Sequence, residues 1–319
     1  MIPNETRFYG LLYIDEQNNK DHSDLPCGVD PIDIYIMCAS LCSKAFRAIG
    51  AAFHLITNKA EYVRRRLVCL GLEDFAVLHH DFSLMVPKKI WFYSAHFKLD
   101  LVKAFGLGQF GKRIGLIDLD TVLLRRLPGS AGLAVYDISD QVFPAFGKHR
   151  VVSDLQLVSG RPLSDPRWYG GEFVAGSAME FATISRHIDS CWPNYIKYLS
   201  SLHNVGDEMI MSSALNMARA DGVQMVDYGQ AGLVARWWTD RTEHKQAPFD
   251  AVTGAALLHL PADKVFLSQE AGYQFDPEML LSRFRRYARK KIAHPVVDGA
   301  VEPLLSRPRE LFTPRLSSG

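Results

Sequence analysis

Long uncharged apolar runs are missing from this sequence. No stretch reaches the roughly 18 residues that a bilayer-spanning helix needs, which argues against a transmembrane protein. The first residues, MIPNETRFYGLLYIDEQNN, also lack the charged-then-apolar order of a secretory signal. Cysteine is scarce. The five present, Cys27, Cys38, Cys42, Cys69 and Cys191, are odd in number and contain no CxxC pair, so neither a secreted disulfide framework nor a thiolate zinc site is indicated. A reducing cytoplasm is the expected setting. An excess of one charge is absent too: 36 Lys and Arg stand against 35 Asp and Glu. The chain therefore lacks the general basic excess with which nucleic-acid binders displace phosphate counterions. Internal repeats and low-complexity segments are also lacking.

What is present suits an α/β protein. With 319 residues, 48% of them hydrophobic, the chain can bury one large core. Phe8 to Ile14 reads as a strand entering a polar loop, and Ala52 to Thr57 as a second strand. Phe75 to Leu78 and Arg113 to Leu116 read as further strands. Between them, Ile34, Met37, Leu41, Ala45 and Ala48 recur at helical spacing, Glu61 to Leu70 carries another helical pattern, and Ile90, Ser94, Phe97, Leu101 and Ala104 share a third helical face. Strands alternating with helices predict a doubly wound, mostly parallel sheet whose ligands sit beyond the carboxyl ends of the strands. Farther on, a strand is expected near Phe173 to Met179, a helix from Ile184 to Leu199 bent at Pro193, and a helix from Glu208 to Ala218 capped by Asp207. The pattern predicts a catalytic domain over 1–282, then a basic helix and loosely ordered tail over 283–319.

The chemistry concentrates at Asp118 and Asp120. An apolar strand rarely ends in two carboxylates without compensation, because burying either without a partner is costly and bringing them together raises at least one pKa. Strand alternation would point both to one side, where they can share one hard cation. A pair of solvated loop aspartates is the plain alternative.

The block HFKLDLVKAFGLGQFGKRIGLIDLDTVLL, His96 to Leu124, resembles the stretch in glycogenin-like glycosyltransferases, family 8, where a Lys-Leu helix precedes an apolar strand ending in Asp-x-Asp. The resemblance implies a GT-A-like domain in which Lys98 contacts the donor's sugar or diphosphate and Asp118 and Asp120 bind manganese. Three later segments follow in the family's order. Gly170 to Gly176 resembles the strand lining the donor sugar, which implies Ala175 and Gly176 as sugar neighbours, with Ala175 where a polar residue is common. Asp207 and Glu208 resemble an Asp-Gln pair near the reacting carbon. His259 to Lys264 resembles a His-x-x-Gly-x-x-Lys segment one residue longer, which implies His259 as third metal ligand and Lys264 at the diphosphate.

At the strand ends, Tyr13, Ile14, Asp15 and Asn58 are candidates to hold the nucleotide base. Trp168, Tyr169, Trp237 and Trp238 are either acceptor-sugar platforms or ordinary core aromatics. Arg283, Arg285, Arg286, Arg289, Lys290 and Lys291 form either a solvated helix face or a peripheral contact with anionic lipid. His79, His80 and Asp81 read as loop polar groups. Cys38 and Cys42 share a helical face and read as small core residues. The resemblance implies transfer of a hexose from a nucleoside diphosphate sugar, uridine-based, to a glycan or lipid-linked glycan hydroxyl, with retention. A nucleotidyltransferase is the second enzyme reading, although Tyr13 to Lys20 lacks its Gly-rich phosphate loop. A third is a binding module of the same fold without turnover.

Overall fold

The computed structural model describes residues 6–15, 30–88 and 90–293. The rest of the polar loop after the first strand, Cys27 and the end of the tail lie outside them. Strands β1 (Arg7–Leu12), β2 (Ala52–Thr57), β3 (Val77–His79) and β4 (Arg113–Ile117) alternate with helices α1 (Pro31–Ala48), α2 (Ala60–Cys69) and α3 (Lys98–Gly106). Helix α1 starts where the residue types require it: Pro31 needs no amide partner in the first turn, and the Asp30 side chain accepts from the amide of Ile32 at 2.9 Å. Its buried face includes Ile34, Cys38, Leu41 and Ala45.

Next come β5 (Thr121–Leu123), β6 (Leu133–Asp137), α4 (Ser139–Phe146), α5 (Lys148–Ser159), β7 (Tyr169–Ser177), α6 (Ala178–Tyr198) and α7 (Asp207–Ala220). The last part holds β8 (Met225–Asp227), β9 (Val234–Arg236), α8 (Phe249–Val252), β10 (Leu257–His259), α9 (Lys264–Glu270) and α10 (Pro277–Ala293). The main sheet has the order β3-β2-β1-β4-β7-β6-β8. Its described pairings are parallel except those of β7, which runs antiparallel to both neighbours. A second sheet, β5-β10-β9, stands beside the end of β4. Helices pack in two groups, α1 with α2 and α9, and α3 with α5, α6 and α7, as on the two faces of a doubly wound sheet.

Several boundaries differ from expectation for identifiable reasons. Ile90 lies outside any helix. A 3-10 turn over Tyr93–Phe97 feeds α3, so the apparent single helical face is two elements. Strand β7 stops at Ser177 because that residue caps α6, its side chain bonded to the Glu180 amide while Glu180 reaches back, which puts Met179 in the helix. Pro193 lies inside a continuous α6. The cap of α7 is Gly206, so Asp207 is the first helical residue and its carboxylate is spent elsewhere. Helix α10 runs across the residue 282/283 boundary, and its Phe284 is fully buried against Trp237, Phe249 and Phe266.

Candidate functional site

Asp118 and Asp120 lie in the turn between β4 and β5, beyond the last residue of the strand. Their convergence therefore comes from a tight turn rather than from strand alternation. The Thr121 hydroxyl donates to the Asp118 carbonyl at 2.7 Å, and Leu119 turns the other way into the core. Behind the turn, the buried Cys42 thiol donates to the Thr121 carbonyl at 3.1 Å; burial pushes its pKa up to about 12, so it stays a donor. Strand β10 pairs antiparallel with β5 and sets His259 opposite Thr121. One ligand atom each from Asp118, Asp120 and His259 lies within 4.8 Å of the others. Such a mixed set of hard oxygens and one imidazole suits a divalent cation.

The surrounding charges fit that reading. Lys98 Nζ lies 2.6 Å from Asp118 Oδ1 and 3.0 Å from Asp207 Oδ2, and donates to the Gly171 carbonyl at 3.1 Å. His259 Nε2 is 3.0 Å from Asp120 Oδ1, and Lys264 Nζ is 3.2 Å from Asp120 Oδ2. On the other ring nitrogen, His259 Nδ1 meets Glu172 Oε1 at 3.2 Å. Glu172 is fully buried and forked onto Arg236 through two bonds of 2.5 Å, and Arg236 also donates to Glu208 at 2.6 Å. In this connected cluster the carboxylates of Asp118, Asp120, Glu172, Asp207 and Glu208 face three permanent cations, Lys98, Lys264 and Arg236. With His259 neutral, two negative charges remain, the charge of one divalent ion.

The titration shifts carry the same imbalance. Burial and the neighbouring Asp120 raise Asp118 to about 6 despite Lys98. Asp120 sits well below the usual range: burial opposes its charge, but His259 and Lys264 outweigh burial. Burial alone would lower His259, yet Asp120 and Glu172 raise it to about 9, so a proton occupies the ring where a cation can bind. Burial likewise opposes the Lys98 charge, and the carboxylates of Asp118 and Asp207 reverse that effect.

Of the other expected site residues, Asp207 is brought to the centre. Its Oδ2 is buried and in ionic contact with Lys98 at 3.0 Å. Glu208 is already occupied, accepting from Trp168 Nε1, the Gly171 amide and Arg236, so it fixes the floor of the site rather than facing the opening. Because β7 is antiparallel, its first residues reach the carboxyl edge. Gly171 stands beside Asp207, while Ala175 and Gly176 pair with Gly115 and Ile114 in mid-sheet, away from the acids. At Gly171 a Cβ would come within 3.0 Å of Asp207 Oδ2 and 3.5 Å of Lys98 Nζ, so glycine is what lets the strand approach so closely.

At the β1 and β2 ends, Asn58 both accepts from the Ile14 amide and donates to its carbonyl, each at 2.9 Å. These residues line a cavity of about 710 Å³ with Lys59, Tyr62, Arg65 and His79. Tyr13 stacks on Phe97 with ring centroids 3.7 Å apart, and Asp15 lies two residues on. Trp168, Tyr169 and Trp237 are buried core residues and cannot be sugar platforms as they stand; Trp238 is half-buried and stacks on His244. His79 pairs with Asp81 at 2.9 Å. Glu172 and Arg236 were not singled out from the sequence. The available signal was a lone carboxylate inside an otherwise apolar strand, which requires a buried cation.

No family model matches the chain, and no curated protein matches it. Among solved structures, apo mouse xyloside xylosyltransferase 1 aligns over 73% of this chain and 87% of its own, at 12% identity and a TM-score of 0.43. The apo WbbM bifunctional glycosyltransferase aligns over 88% of this chain at 11% identity and a TM-score of 0.51, this chain spanning 52% of its length. The architecture is a GT-A-like glycosyltransferase fold. No helix among the described residues is long and apolar enough to cross a membrane.

Proposed function

We infer that this protein is a metal-dependent glycosyltransferase of the glycogenin-like type. It moves a hexose from a nucleoside diphosphate sugar, uridine-based, to a glycan or lipid-linked glycan hydroxyl with retention. The observation that carries the reading is the convergence of Asp118, Asp120 and His259 at the carboxyl edge of a GT-A-like sheet, in a cluster where carboxylates outnumber cations. A bound Mn2+ or Mg2+ would supply Lewis acidity to the leaving diphosphate. The chain's own groups do the rest. Lys264, at the start of α9, offers a point cation to phosphate oxygens. Lys98 holds Asp118 and Asp207 in register and lends positive charge to the donor. Asp207 orients an acceptor hydroxyl or steadies positive charge developing on the sugar ring. Glu172 and Arg236 fix the ring of His259 from behind. The cavity beside Ile14 and Asn58 takes the base.

On α10, Arg283, Arg285 and Lys291 are tied to Glu270, Asp250 and Asp240. Arg286, Arg289 and Lys290 stay exposed, a smaller basic face for anionic lipid on the cytoplasmic side of a membrane. The deciding experiment is manganese-dependent hydrolysis across a panel of sugar nucleotides. Slow release of free sugar supports the transferase. Pyrophosphate release with a sugar phosphate would point instead to a nucleotidyltransferase, and binding without turnover to an inactive module.

A further inference from the structure

Phe92 breaks two rules at once. Its backbone is left-handed, with φ 57° and ψ 31°, a conformation that is unfavourable for a bulky side chain. The residue is 56% exposed, as is Trp91. Strain of this kind persists where the surroundings over-determine it, and it collects at ligand-binding positions.

The surroundings here are built for the purpose. The Phe92 carbonyl accepts from His96 Nδ1 and from the Ala95 amide, each at 2.9 Å. His96 is fully buried, and its Nε2 meets the Tyr195 hydroxyl at 2.8 Å; that hydroxyl donates to the Val205 carbonyl at 2.6 Å. A buried polar relay thus ties the strained turn to the loop that leads into Gly206 and Asp207. The Phe92 ring lies against Gly206, where a Cβ would approach it to 3.3 Å.

Location limits what the exposed ring can meet. In the reading above, the base sits at Ile14 and Asn58, and the diphosphate at Asp118, Asp120, His259 and Lys264. The flank left for the incoming hydroxyl is that of Asp207, and the Phe92 ring lies against the residue before it, Gly206. An aromatic face presented to a pyranose covers its axial C–H bonds and leaves the hydroxyls free, the chemistry a transferase needs in an acceptor site. We propose that Phe92, with Trp91 beside it, is the platform on which a pyranose of the acceptor stacks, so that the acceptor hydroxyl is delivered to Asp207. The proposal rests on the glycosyltransferase reading.

The test uses the full chain with Mg2+ and UDP, and methyl β-D-galactopyranoside, methyl α-D-glucopyranoside and lactose as probes in saturation-transfer NMR. At least one sugar is expected to receive saturation on its axial protons. Phe92→Ala should weaken its binding about tenfold while Phe92→Tyr retains it, with UDP affinity by calorimetry equal in all three proteins. Sugar binding unchanged in Phe92→Ala overturns the platform, as does the absence of any sugar contact when UDP binds. Loss of vesicle binding on Phe92→Ala without an effect on sugars assigns the ring to lipid and also overturns it. Failure of the wild type to bind UDP with Mg2+ overturns the functional reading as well, and is thereby distinguished from failure of the platform alone.

Discussion

Glu172 Oε1 stands 3.2 Å from Nδ1 of His259, which leaves Nε2 turned toward Asp120 at 3.0 Å. The carboxylate fixes which nitrogen carries a proton and which is offered to a cation, and such outer partners tune affinity strongly. Glu172→Gln is expected to weaken manganese binding roughly 10- to 100-fold. It should also cost about 1–3 kcal/mol of stability, because Arg236 loses a charged partner. Calorimetric titration and urea unfolding measure the two effects separately; unaltered metal affinity would remove Glu172 from the account.

Asp118 has the opposite character. Its carboxylate is under-compensated without a cation, as its pKa of about 6 records. Asp118→Asn should therefore abolish manganese uptake and leave the metal-free protein at least as stable at pH 8 as the parent. A melting temperature clearly below that of the metal-free parent would show that its ion pair with Lys98 outweighs the burial of charge.

The pH dependence follows from His259. Its folded pKa, about 9, lies above its ordinary 6.5. A raised pKa stabilises the metal-free protein fully below the unfolded value and loses that contribution as pH rises through the folded one. Metal-free melting temperature should thus fall between pH 6.5 and 9. Metal must displace that proton, so manganese affinity should rise over the same window. Flat profiles for both quantities would contradict the assignment.

Lys98 holds two buried carboxylates, and its removal leaves both without their shared cation. Lys98→Met should cost about 3–5 kcal/mol of stability, the usual loss when one partner of a buried pair is removed. Equilibrium unfolding would register it; a change under 1 kcal/mol would place the lysine in solvent.

Phe284 tests where the catalytic unit ends. Its truncation in Phe284→Ala should cost about 3–5 kcal/mol and melt the domain in a single transition. If the loss stayed local and activity survived, α10 would be an appendage and the sequence boundary near Ser282 would stand.

Much of this arrangement was legible in the sequence because periodicity reports burial. The alternation of apolar faces gave the parallel sheet, and the acids at the end of Arg113 to Ile117 marked its edge. The reversal of β7 was not legible, since an apolar run reads the same in either direction, and so Ala175 and Gly176 were expected where Gly171 stands. The roles of Glu172 and Arg236 were hidden for a different reason. The two lie on separate elements, β7 and β9, and no local spacing encodes a contact between distant strands.

The pairing of β10 with β5 brings together parts of the chain that leave the ribosome at different times. The acids of the β4–β5 turn emerge first, and at about 5–20 residues per second the imidazole follows them by roughly 7–28 s. During that interval the nascent chain has two carboxylates and no third ligand, a poor trap for any ion. An ion that needed all three groups would therefore wait until β10 has docked on β5.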